Sequence, residues 1–272
     1  MADETKYRAA HQEAFTACDG LEALLRTEVR RVSGHSNATS ADKIVSGLFV
    51  RAINIWCAAI ELVSDGYGLA AGMLNRPLFE ALADIAWTST HQGEAETLFA
   101  EHDEFSRMYV AEKLRDRDYE PLLPINDERL AELKRRDKFG AHGQHHWSTR
   151  NVNDRLNESH SAFTREGEWE DVREAHDLGY FWSNQLLHGA SLGLGHAVES
   201  ATAAQLTLRA GPCDKDLVKA MHTCSWTIVE IAAVALRHFD YAAETEAFWQ
   251  IADLCLTSIA SHIEGPQYLH KR

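Results

Sequence analysis

Two stripes of polar residues run through otherwise apolar segments of this chain, and they are where its side chains could do chemistry. Arg76, Glu80 and Asp84 recur at four-residue spacing in GMLNRPLFEALADIAW. Tyr180, Asn184, His188 and Ser191 follow at steps of four, four and three in GYFWSNQLLHGASLGLGHAV. Steps of three or four residues put side chains on one face of a helix. Polar groups on mostly buried helices are costly unless they are paired or used. An arginine grips a phosphate or carboxylate with its planar fork, a carboxylate orients that arginine or takes a proton, and an imidazole exchanges protons near neutral pH.

If the two stripes face each other they outline one polar pocket between helices. Arg76 then binds an anionic group, and Glu80 and His188 are the catalytic acid–base residues. Tyr180, Asn184 and Ser191 contact the ligand, while His146 and Trp147 of GAHGQHHWS cover it. The competing reading gives the same residues a structural task. Arg76 and Glu80 are then an ion pair one turn apart, and His188 is a satisfied core histidine.

Other constellations are weaker. His142, His145 and His146 cluster, but no Asp, Glu or Cys stands within three residues of them at a ligand-like spacing, so no metal is expected there. A di-metal carboxylate bundle needs Glu-x-x-His pairs, and Glu61, Glu80, Glu101, Glu104 and Glu230 supply none on the long helices. The Arg-x4–6-His spacing of small helical ribonucleases occurs at Arg155…His160, Arg30…His35, Arg135…His142 and Arg136…His142. With 15 histidines such hits arise by chance. Ser183 or Ser191 beside His188 lacks a nucleophile elbow. GxGxxG, P-loop, GxSxG and HExxH patterns are all missing. No cofactor is implied.

The elements that must position these residues read as helices. Apolar periodicity predicts helices over 5–33, 43–64, 67–90, 93–117, 178–208, 214–239 and 243–264, with a short charged one at 126–138. Pro77 should kink the 67–90 helix beside Arg76. Residues 139–178 are the least regular part, with short helices plausible at 150–162 and 168–176. Such a stretch inside a compact domain is often functional. No useful strand alternation or repeat is visible. The expectation is one all-α domain over 1–272, a bundle of about seven or eight helices, with 139–178 as an irregular insertion covering the pocket.

Composition narrows the function. With 45% hydrophobic residues the chain can build a core, and a net charge of −14 argues against a broad nucleic-acid surface. The basic stretches RTEVRRVSGH and LKRRDK read as solvated helix faces. Five cysteines, an odd number without CxxC spacing, suit a reducing cytoplasm. No apolar run is expected to reach the roughly 18 residues of a membrane span. A homo-oligomer is the default for such a bundle.

At the same residues the chain resembles a bacterial family catalogued as domain of unknown function 5677. The resemblance rests on GLAAGMLNRPLFEALADIAW, HHWSTRNVNDRL and YFWSNQLLHGAS, spanning residues 67–192. It implies an all-α fold and groups Arg76, Glu80, Trp147, Tyr180 and His188 in one constellation, with no activity to transfer. Loosely similar helical families include toxins and antiviral ribonucleases, a likeness at the level of fold. The function expected is binding of an anionic small molecule or nucleotide, with phosphodiester or nucleotide cleavage as the first enzymatic guess. The alternative is a non-catalytic interaction protein.

Overall fold

The computed structural model describes residues 4–36, 38–117, 119, 124–135, 138–140, 146–188, 198–201, 206–208 and 211–263. In chain order the helices are α1 (Glu4–Ala10), α2 (Gln12–Ser33), α3 (Ser40–Ser64), α4 (Gly68–Met73), α5 (Asn75–Thr90), α6 (Gln92–Arg115), α7 (Asp127–Leu133), α8 (Val152–Glu158), α9 (Glu168–Ala175), α10 (Phe181–Leu187), α11 (Leu217–His238) and α12 (Ala242–Ala260). The fold is all-α, and its helices outnumber the seven or eight expected because several predicted segments are divided by short joints.

Two corrections follow. The 178–208 helix ends at Leu187, and a small antiparallel hairpin joins β1 (Val198–Ala201) to β2 (Leu206–Leu208). Gly189, Gly193 and Gly195 fall inside the predicted helix, each costing about 1 kcal/mol there, and Val198 and Thr207 favour extended backbone. The 67–90 segment is not one kinked helix but α4 and α5 separated at Leu74, so that Pro77 sits in the first turn of α5. There its missing N–H has no intrahelical partner to lose.

The core lies between α3, α5 and α11. Leu78, Phe79, Leu82, Ile85 and Trp87 of α5 are fully buried, and α11 is buried along almost its whole length. Each such side chain contributes about 1.5–3 kcal/mol by leaving water. Polar pairs fix the register. The Trp56 indole donates to Ser225 Oγ at 3.0 Å, and Thr227 Oγ1 donates to Asn75 Oδ1 at 2.8 Å. Contrary to the sequence expectation, α3 is long and apolar enough to cross a membrane, with mean hydropathy 1.5. Half of that stretch is buried inside the fold. Gly72 lets α10 lie close on α4, since a methyl there would meet the Trp182 ring at 2.6 Å.

α9 and α10 run on as one rod through a wide π-helical turn over His176–Tyr180. Its start is held by a cluster of two arginines and two carboxyl groups. Arg237 Nη2 donates to Glu168 Oε1 at 2.5 Å, and Arg165 Nη2 stands 3.4 Å from Glu230 Oε1. Both carboxyl groups are fully buried. Burial, and next the charge of Glu168, hold the Glu230 carboxyl well above the usual range, against the pull of Arg165. A carboxyl kept neutral by the fold ionises more readily in the unfolded chain. Its contribution is therefore complete below the ordinary carboxyl range and is lost as pH climbs through the raised value. Unfolding midpoints in urea should fall as pH rises from about 5 towards 9. Glu230→Gln, which mimics the neutral acid, should flatten that slope. Equal slopes in both proteins would show that Glu230 does not hold its proton in the fold.

Candidate functional site

α5 carries Arg76, Glu80 and Asp84 one turn apart, all on the flank of the helix that α8 and the α9–α10 rod cover. Arg76 Nε donates to Glu80 Oε1 at 3.0 Å, and its Nη1 lies 2.9 Å from His188 Nε2 at the end of α10. A guanidinium is always a donor, so His188 Nε2 accepts and the proton of the neutral ring sits on Nδ1. Tyr180 donates its hydroxyl to the same Glu80 oxygen at 3.4 Å. Burial, and next the charge of Glu80, push the Tyr180 phenol up, so it stays protonated and a donor. Glu80 Oε1 thus takes both contacts, and neither falls on Oε2. Four of the residues predicted from the two stripes stand together.

One turn further along α5, Asp84 is almost fully buried and forms an ion pair with the equally buried Arg155 of α8. His146 lies against this pair, its Nε2 3.2 Å from Asp84 Oδ2. The Ser148 backbone N–H donates to His146 Nδ1 at 3.2 Å, which leaves the ring proton on Nε2, facing Asp84. Arg155 Nη1 stands 3.3 and 3.2 Å from the two ring nitrogens. Burial drops the His146 ring to about 4, so it is neutral at pH 7. Arg155, pulled down by burial to about 10, remains a cation. Both His146 nitrogens are engaged, which makes this histidine a fastener of the 146–151 segment to α5.

A cleft of about 630 Å³ opens between these groups, lined by Arg76, Glu80, His146, Arg155, His176 and Tyr180 among others. The lining includes the turn at Thr149, whose φ of 60° is a left-handed conformation rarely adopted by a β-branched residue. Arg150, also on the lining, ties that turn to Glu94 at 2.9 Å and Glu158 at 2.6 Å, with its guanidinium over the Trp87 ring.

Other predicted residues stand elsewhere. Trp147 does not line the cleft. It is buried beside Trp87 and Phe99, with ring centroids 5.7 and 5.4 Å away, because an indole gains more from that apolar cluster than from covering a polar mouth. Asn184 also lies outside the lining, and its buried Oδ1 has no hydrogen-bond partner among the described residues. Ser191, His142 and His145 lie outside the described residues. His160 packs on Trp169 rather than beside Arg155, and Ser183 Oγ is spent on the Gly179 carbonyl at 2.9 Å. Among the described residues no three His, Cys, Asp or Glu side chains gather as a metal would require. Arg155 and His176 line the cleft although neither belongs to the two polar stripes. Arg155 sits in HHWSTRNVNDRL, but its partner is 71 residues away in sequence.

An all-α bundle with one charged, aromatic-lined interhelical cleft is the class that this fold and geometry define. The chain belongs to a family of unknown function, DUF5677, whose model matches residues 42–203 and so takes in every cleft group described above. No curated protein and no solved structure matches it.

The two ion pairs should respond differently to mutation. Arg76 and Glu80 are partly exposed, and such pairs contribute about 0–1 kcal/mol. Arg76→Ala should therefore leave the unfolding midpoint nearly unchanged. Asp84→Ala strands a buried guanidinium and should cost about 3–5 kcal/mol in chemical denaturation. Comparable losses in both variants would contradict this division. Thr149→Gly relieves the left-handed strain and should raise stability by up to about 1 kcal/mol. A destabilised glycine variant would mean that the turn is not strained.

Proposed function

We propose that the cleft binds a phosphate-type anion at Arg76 and that Glu80 and His188 serve as its acid–base pair, acting on a phosphodiester. The observation that carries this is Arg76 itself, which lines the open cleft beside Glu80 and holds at 2.9 Å the ring of His188, a residue outside that lining. A bound phosphate competes for the outer edge of the guanidinium, a bidentate fit that arginine makes well. In the reaction, Glu80 Oε2 takes the proton of an attacking hydroxyl or water as its oxygen bonds to phosphorus. The opposite P–O bond breaks, and the departing oxygen receives a proton from His188, which can take one up once Arg76 turns to the phosphate. Arg76 offsets the charge that builds on the phosphoryl oxygens. The free cysteines fit the cytoplasm as the setting.

Activity on phosphodiester substrates, with phosphate release or strand shortening as readout, tests this directly. Arg76→Gln, Glu80→Gln and His188→Ala should each lower kcat/KM at least about a hundredfold, within the range of acid–base and electrostatic contributions, while circular dichroism stays native. Full activity in all three variants would refute the assignment.

A second reading rests on a specific observation as well, since each cleft arginine already has a carboxylate partner. In that reading the stripes are a structural network, and the acidic surface meets a basic partner or a second copy of the chain. It predicts no ligand at all for the cleft and no activity for wild-type protein.

A further inference from the structure

The cleft lining is charged at Arg76 and Glu80 and aromatic beside them. The wide turn over His176–Tyr180 sets two rings nearly parallel, 5.4 Å apart at 13°, both on the lining, and the Tyr180 hydroxyl joins this aromatic wall to Glu80 at 3.4 Å. Phe79, fully buried on α5, backs both rings at 5.8 and 5.6 Å, so the wall is rigid before anything binds. Neither a bare phosphate nor a sugar phosphate would use such a surface, whereas a planar heterocycle offers a π-face of matching size.

The lining also holds residues whose side chains can meet the edge of a base. Asn153 Oδ1 is taken by Arg173 Nη1 at 2.7 Å, which leaves the amide NH2 as this side chain's donor. Thr149, in its strained turn, is a second lining residue with a hydroxyl. The volume, about 630 Å³, is that of a small-molecule site. A net charge of −14 disfavours a long polyanion, and a single phosphate asks for only one cationic contact.

We propose that the ligand is a single nucleotide, its phosphate at Arg76 and its base against the His176–Tyr180 wall. This rests on the anion-binding reading above, a mononucleotide being one product of phosphodiester cleavage, and adds to it the ring that the aromatic wall selects.

Isothermal titration of the wild-type chain with inorganic phosphate, ribose 5-phosphate and a purine and a pyrimidine mononucleotide tests it. At least one nucleotide should bind ten times more tightly than ribose 5-phosphate, about 1.4 kcal/mol. His176→Leu should bring the nucleotide down to the affinity of ribose 5-phosphate while leaving phosphate binding unchanged. Native circular dichroism and unchanged phosphate binding in His176→Leu serve as the folded control. Equal affinities for all ligands would overturn the nucleotide assignment and leave the anion site standing. Absence of binding by every ligand would remove the anion site and this inference together.

Discussion

A carboxylate buried in the middle of a helical bundle must be answered by a cation, and Asp84 is answered by Arg155. Much of the cleft follows from that pair. α5 is surrounded by apolar side chains on most of its circumference, so its charged flank can be covered only by a segment bringing its own charge. α8 brings it. Once Arg155 is seated on Asp84, the preceding turn at 146–150 is drawn against α5, His146 packs on the pair, and Arg150 reaches Glu94 and Glu158. The partly exposed Arg76–Glu80 couple, one turn away, is spared that structural duty, which leaves it available for a ligand.

The opposite wall depends on packing rather than charge. The α9–α10 rod is anchored at one end by the Glu168–Arg237 contact and along its length by Trp182 and Leu186, which settle over Gly72. Between these anchors the π-helical turn accommodates one extra residue. Turns of this type are uncommon and concentrate at functional sites. Here the turn delivers His176 and Tyr180 to the cleft, while His188 still meets Arg76 at the end of the rod.

How much of this was legible depended on how local each signal is. The Arg76–Glu80–Asp84 stripe was readable because its spacing is that of one helix face, and α5 keeps that helix. Tyr180 and His188 were readable for the same reason. The Asp84–Arg155 pair was not, since it joins residues far apart in sequence and a seven-residue helix leaves little periodicity to find. Trp147 was drawn to the site by its neighbour His146, although alternate residues of a turn face opposite ways. The hairpin was hidden by an apolar run that looks helical until its glycines are weighed. The π-helical turn has no composition of its own, because it is set by what its two ends must touch.

That turn has a consequence in the language of insertions and deletions. A regular α-helix advances about 100° per residue, and the wide turn takes up that rotation for one extra residue, so losing one codon between His176 and Tyr180 would restore regular pitch and leave the flanking helices in register. The stop over Gly72 and the meeting of His188 with Arg76 would survive, while the stretch between them, which lines the cleft, would change. Among chains descended from a common ancestor, those one residue shorter here should keep the helices on either side and differ in the cleft wall between them.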